Sequence, residues 1–163
     1  MCRLFWGKMM TEFDTHEKVS ELVPHKGKMH LLSRVVSYDV ENFIAETEVD
    51  VNEKSMFYED IYDGVPVWIA FEYMAQSVSV LIGIVCKKMN LPPKMGFILS
   101  VTNFQAYENV FRNGETVRLW VKQLVRVDKA VTFEGRAFVN DKLIATATMN
   151  TIEVDDPKQV LGV

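Results

Sequence analysis

A single acidic side chain lies inside a long apolar stretch of this 163-residue chain. Glu72 is the only charged residue between Pro66 and Cys86, and Gln76, Ser79 and Gly83 follow it at helical spacing. One helix face would therefore carry two polar groups and two small residues. A carboxylic acid buried there would stay neutral near neutral pH and could donate a proton as a general acid. The alternative is a core helix in which Glu72 is a structural acid with hydrogen-bond partners.

The element that must position Glu72 is a helix predicted from about residue 66 to residue 89. Pro66 suits its first turn, and Lys87 and Lys88 suit its last turn. Apolar residues lie on nearly every face, so strands must surround it. A membrane span is not expected, because one Glu, one Gln and two Ser near its middle would be costly in lipid.

The remaining sequence predicts an antiparallel sheet around this helix. Six runs are rich in strand-forming residues, and the last three are joined by connections too short for parallel crossovers. They cover residues 31–37, 42–51, 94–107, 115–126, 131–139 and 143–154. We therefore predict an α+β fold with a single domain over residues 11–154. Residues 12–22 could add a short helix. We expect residues 1–10 to form an extension outside the domain and residues 155–163 to form a C-terminal tail.

Charge and cysteine content narrow the classes of partner. The net charge of -4 without a basic cluster argues against nucleic acid. The two cysteines, Cys2 and Cys86, have no metal-binding spacing, which fits a reducing cytoplasm. We expect neither a metal nor another cofactor.

Two motifs resemble the hotdog-fold 3-hydroxyacyl-ACP dehydratases of bacterial fatty-acid synthesis. FEYMAQ resembles the helix motif EAMAQ of that family, and LVPHKGKMHLLSRVV resembles its opening segment. The resemblance is closest to the dehydratase-like proteins of aryl polyene pigment clusters, whose loop and helix read D-G-x-L-P-x-W-x-x-x-E. The positions that match this pattern are Asp63, Gly64, Pro66, Trp68 and Glu72.

The chain departs from the family at two positions. Counting back from Glu72, Tyr58 stands where the family has its catalytic His. In the strand after the helix, Ser100 or Val101 replaces a Gly whose backbone N–H faces the thioester. The resemblance thus implies Glu72 as the acid but leaves the base unassigned.

Two residues are candidates for the missing base. Asp63 precedes the helix, where capping of the helix N-terminus is an alternative role. His25 follows Pro24 at the start of the first predicted strand, where a structural hydrogen bond is an alternative role. Gln76 could orient the Glu72 carboxyl, and the resemblance places Trp68, Tyr58, Ser100 and Val101 near the substrate.

The resemblance implies a dehydratase-like protein that acts on acyl thioesters of acyl carrier protein or CoA. It also implies a homodimer, because dimerisation pairs the free sheet edges. A heterodimer with a His-bearing hotdog dehydratase would supply the missing base. A hotdog thioesterase and a non-catalytic acyl-carrier-binding subunit are the alternative functions.

Overall fold

The apolar run at the centre of the sequence forms the axis of the domain. The computed structural model describes residues 17–155. After a short helix α1, Val19–Leu22, the long helix α2 spans Ala70–Lys88 and is preceded by a 3-10 turn, Val67–Ile69. The whole stretch Val67–Lys88 is long and apolar enough to cross a membrane, yet most of it is buried inside the domain. This is the environment of a core helix, and it confirms the predicted helix.

A six-stranded antiparallel sheet wraps around α2. Its strand order is β1-β2-β6-β7-β8-β4, and a separate two-stranded sheet pairs β3 with β5. The strands are β1 Arg34–Asp39, β2 Ile44–Asp50, β3 Gly64–Pro66, β4 Met95–Ala106, β5 Val110–Arg112, β6 Thr116–Val127, β7 Ala130–Val139 and β8 Lys142–Val154. Alternate residues of β2 and β7 are buried against the helix. The predicted antiparallel sheet around one central helix is confirmed.

Small and polar side chains allow α2 to lie close to the sheet. A Cβ atom on Gly135 of β7 would lie only 2.7 Å from Sδ of Met74, so a larger residue there would push the helix away. The hydroxyls of Thr47 on β2 and Ser77 on α2 are 2.7 Å apart and both residues are fully buried. Their hydrogen bond satisfies two polar groups that would otherwise be costly in this core.

The small sheet formed by β3 and β5 was not predicted. Neither strand lies in one of the six predicted runs, because three-residue strands are too short to show a period. Gly64 is required here because a Cβ atom at this position would lie 2.1 Å from the Phe111 carbonyl oxygen. The close approach of the two strands fixes the segment that leads into α2.

The strand ends of the first hairpin, β1–β2, also differ from the predicted ones. Strand β1 begins at Arg34 and includes Tyr38 and Asp39, which lie between the predicted runs 31–37 and 42–51. The Asp39 carboxylate accepts hydrogen bonds from the backbone N–H and side-chain amide of Asn42, at 3.0 Å and 2.7 Å. The turn therefore covers residues 40–43, two residues later than the gap predicted at residues 38–41. The predicted extension over residues 1–10 and nearly all of the predicted tail lie outside the described residues.

Candidate active site

Glu72 lies in the first turn of α2 with its side chain 20% exposed. Its Oε1 accepts a hydrogen bond of 2.9 Å from the Gln76 side-chain amide one turn along the helix. The helical spacing seen in the sequence thus produces a direct contact. Of the apolar residues close to Glu72 in the sequence, Ile69 and Met74 are buried, whereas Trp68 is 56% exposed. Trp68, which the resemblance places near the substrate, lies on the surface and packs edge-on against Phe57.

Gln76 ties the helix to the segment that precedes β1. It is fully buried. Its Nε2 also donates to the Met29 carbonyl at 2.8 Å, and its Oε1 accepts the Leu31 N–H at 3.1 Å. Both amide hydrogens are therefore used, which fixes the orientation of the side chain. Gln76 holds Glu72 and the segment of residues 25–31 in one arrangement.

This segment brings His25 next to Glu72. The Nε2 atom of His25 lies 3.7 Å from Oε1 of Glu72, and the His25 side chain is 32% exposed. The Nδ1 atom is buried and has no hydrogen-bond partner within residues 17–155. A protonated imidazole in this position would form an ion pair with the carboxylate. Of the two candidate bases, the structure brings His25 to the acid.

Asp63 is held by a different set of contacts. It adopts a left-handed backbone conformation at the end of a 3-10 turn, Asp60–Tyr62, directly before β3. Its carboxylate accepts hydrogen bonds from the Tyr58 hydroxyl and from the Asn113 side chain. The alternative role of Asp63 as a helix N-cap is wrong, because β3 and the 3-10 turn Val67–Ile69 separate it from α2.

Tyr58 remains a proton donor in this arrangement. The hydrogen bond to Asp63, more than any other contact, raises the pKa of Tyr58 to about 12. The phenol is therefore neutral at physiological pH and cannot take a proton from a substrate carbon. Counted back from Glu72, Tyr58 stands at the position of the family's His, so this side chain does not replace the His as a base.

Ser100 and Val101 lie on β4, at the edge of the large sheet. Ser100 is exposed and accepts a hydrogen bond of 3.0 Å from the Asn150 side chain on β8. Val101 is half-buried against the core and pairs with Met149. Within the described part of the chain neither residue hydrogen-bonds to Glu72, Gln76 or His25. Their proposed contact with substrate thus remains a prediction.

An apolar cavity of about 400 Å³ lies along α2, and the first helix residue that lines it is Ala75, three residues after Glu72. Its floor is the helix face that carries Ala75, Ser79 and Gly83, and its walls come from β4, β7 and β8. The small residues seen after Glu72 in the sequence were the signal for this space, although its walls could not be predicted. An acidic side chain on the helix that lines an apolar cavity suits a ligand with a reactive head and an apolar body.

A long helix wrapped by an antiparallel sheet defines this domain as a hotdog fold. The family model described as ApeP-like, ApeP dehydratase, matches residues 17–162. The chain therefore belongs to the ApeP-like dehydratase family.

Known proteins similar to this chain agree with this assignment. The 3-hydroxyacyl-[acyl-carrier-protein] dehydratase FabZ of Coxiella burnetii (strain RSA 331 / Henzerling II) is 29% identical over 143 residues, covering 83% of this chain and 96% of the relative. FabZ of Koribacter versatilis is 27% identical, and the match covers 85% of this chain and 88% of the relative. The dehydratase heterocomplex ApeI:P from Xenorhabdus doucetiae contains a chain of the same fold, with a TM-score of 0.81 and 23% identity. The match covers 90% of this chain and 97% of that chain.

Proposed function

We propose that this protein is the acid-bearing subunit of a dimeric 3-hydroxyacyl-ACP dehydratase. The observation that carries the proposal is the position of Glu72 on α2, where Gln76 holds it and His25 faces it, three residues before the helix begins to line an apolar cavity at Ala75. The carrier-bound 3-hydroxyacyl thioester is the substrate of the similar FabZ enzymes, and the cavity suits its acyl chain. The cytoplasm, where fatty-acid or polyene-type synthesis would supply such thioesters, is the proposed location.

Glu72 acts on the departing hydroxyl group in this proposal. A base removes the proton from the carbon next to the thioester carbonyl. The released electron pair forms the new carbon–carbon double bond as the bond from C3 to oxygen breaks. Glu72 gives its proton to that oxygen, so the products are an enoyl thioester and water. Backbone N–H groups at the start of α2 could stabilise the negative charge on the thioester oxygen.

The base is proposed to come from the second subunit of the dimer. Tyr58 keeps its proton, and Asp63 is bound to Tyr58 and Asn113. The similar chain from X. doucetiae belongs to a dehydratase heterocomplex, which supports a partner that carries the missing His. His25 is the alternative base in a homodimer, favoured by its distance of 3.7 Å from Glu72.

Strand β4 offers the surface for such a dimer. It is a 12-residue strand at one edge of the large sheet, with Ile98 40% and Leu99 65% exposed. A long apolar edge strand has unpaired backbone groups that a second strand can satisfy. Pairing of β4 with the same strand of a related subunit would continue the sheet.

The test is product analysis with a 3-hydroxyacyl-ACP substrate. The protein is assayed alone and after co-expression with a His-bearing hotdog dehydratase. An enoyl thioester in either assembly supports the proposal. A free acid with free carrier thiol would instead indicate a thioesterase, and binding without either product would indicate a non-catalytic carrier-binding subunit.

A further inference from the structure

The apolar cavity runs along α2 away from Glu72. The helix residues that line it extend from Ala75 to Lys87, which corresponds to about 18 Å at 1.5 Å per residue. Opposite the helix, Phe133 and Met149 contribute apolar walls from β7 and β8. The space therefore has the length and chemistry of a channel for an acyl chain.

A cluster of three charged side chains lies beside the last turn of α2. Glu153, near the end of β8, is 9% exposed and lines the cavity together with Lys94 and Cys86. Its carboxylate accepts hydrogen bonds from Lys94 Nζ at 3.1 Å and from Arg126 Nη2 at 2.6 Å. The three side chains come from the segment before β4, from β6 and from β8. One carboxylate is thus shared by two cations at the end of the cavity farthest from the acid.

A hydrocarbon chain cannot replace the water around such a cluster. Apolar groups offer no hydrogen bonds, so a chain pressed against Glu153 and Lys94, which line the cavity, would remove their remaining hydration without compensation. Each further methylene group is therefore buried with a favourable free energy only until the chain reaches these charged side chains.

We infer that the cluster of Lys94, Arg126 and Glu153 closes the acyl cavity and sets the maximum length of chain that the protein binds. This inference rests on the proposed function. An extended chain advances about 1.2 Å per bond, by analogy with the extended backbone, so 18 Å holds roughly 15 bonds. The substrates are then medium-length to long acyl thioesters with a sharp upper limit.

The first experiment measures binding by the unmodified protein in the assembly in which it is purified. The ligands are saturated acyl-pantetheine amides from butyryl to stearoyl, in which an amide replaces the reactive thioester. Affinity should rise roughly fourfold for each methylene until the chain reaches the cluster, and then level off or fall. A rise that continues unbroken through stearoyl would overturn the inference.

The second experiment removes the charges. A triple variant, Lys94→Met, Arg126→Met and Glu153→Met, avoids a lone buried charge. It should shift the upper limit to longer chains. The control Arg34→Met breaks an ion cluster with Glu48 and Asp50 on β1 and β2, outside the cavity lining, and should leave the limit unchanged. An unchanged limit in the triple variant, or in the more exposed Lys94→Met alone if the triple variant does not fold, contradicts the inference.

Failure of the inference can be distinguished from failure of the proposed function. If acyl-pantetheines bind and enoyl product forms but no upper limit appears, the function stands and the cluster has only a structural role. If no chain length binds and no assembly makes enoyl product, the proposed function is wrong and the inference falls with it.

Discussion

The imidazole of His25 and the carboxylate of Glu72 face each other at the start of α2, with Nε2 3.7 Å from Oε1. Neither residue reaches this arrangement alone. Gln76 donates to Glu72 and also binds the backbone of Met29 and Leu31, which belong to the segment that carries His25. A buried amide thus positions both ionisable groups, and each of the three side chains has a distinct expected phenotype.

Glu72→Gln should abolish enoyl formation with the melting temperature unchanged or raised. The substitution keeps the shape of the side chain but removes the proton that the departing hydroxyl needs, and a polar amide is less costly than a charge in a partly buried site. Steady-state turnover and thermal unfolding are measured on the same sample. If turnover stays within about tenfold of the original protein, a barrier change of roughly 1.4 kcal/mol, Glu72 is structural.

Gln76→Leu should reduce both stability and turnover. The leucine leaves the Met29 carbonyl and the Leu31 N–H, both of half-buried residues, without their partner, at a cost of about 2 kcal/mol. It also frees the segment that carries His25 and removes a donor from Glu72. Urea unfolding measures the first effect and turnover the second. Thr132→Val, which removes one hydrogen bond to Asn150 on a different part of the sheet, is the matched control and should leave turnover unchanged.

More of the fold than of the site could be predicted from the sequence. The all-round apolar helix and the long strands follow from periodicity in contiguous residues. The contact of Glu72 with Gln76 follows for the same reason, since residues four apart share a helix face. The placement of His25 depends instead on hydrogen bonds of Gln76 to residues far away in the chain, which no local pattern encodes.

Asp63 shows why its alternative role as the N-cap of α2 was wrong. An acid shortly before a helix is the usual sign of an N-cap. Here three residues of β3 and a 3-10 turn intervene, because Gly64 allows the chain to pair closely with β5. That pairing is a tertiary contact, so the sequence near Asp63 gave no sign of it.

Glu153→Gln should destabilise the protein at neutral pH but progressively less in acid. Burial raises the pKa of the Glu153 carboxyl, but hydrogen bonds from Arg126 and Lys94 outweigh it and hold the pKa below the ordinary value of 4.5. A folded-state pKa below the unfolded one stabilises the fold above the unfolded pKa, and this contribution is lost as pH falls through the folded-state pKa. At pH 7 we expect the free energy of unfolding of Glu153→Gln to be about 2 kcal/mol lower than that of the original protein. The loss is smaller than for a fully buried pair because both cations are partly exposed.

Urea unfolding of both proteins from about pH 7 to about pH 3 measures this dependence. The difference in the free energy of unfolding should be constant above the ordinary pKa of 4.5 and narrow below it. A difference that does not change with pH would show that the Glu153 carboxylate contributes no stabilising ion pair.

The last prediction concerns the base. A positioned base typically contributes about a hundredfold to ten-thousandfold to proton abstraction. The loop of this chain has Tyr58, which keeps its proton because its pKa is about 12, so the protein alone should dehydrate 3-hydroxyacyl-ACP slowly or not at all. Co-expression with a His-bearing hotdog dehydratase should raise enoyl formation by at least about a hundredfold. That increase should disappear when the partner's catalytic His is replaced.

His25→Asn and Asp63→Asn assign the activity that the protein shows alone. If His25 is the substitute base, His25→Asn removes that activity and Asp63→Asn keeps it within about threefold, because Asp63 is bound to Tyr58 and Asn113 rather than to Glu72. Asn keeps a polar side chain of similar size at each position, so loss of turnover reports on the lost proton acceptor. Fast turnover of the protein alone that survives both substitutions would mean that another group is the base and that neither a partner nor His25 completes this site.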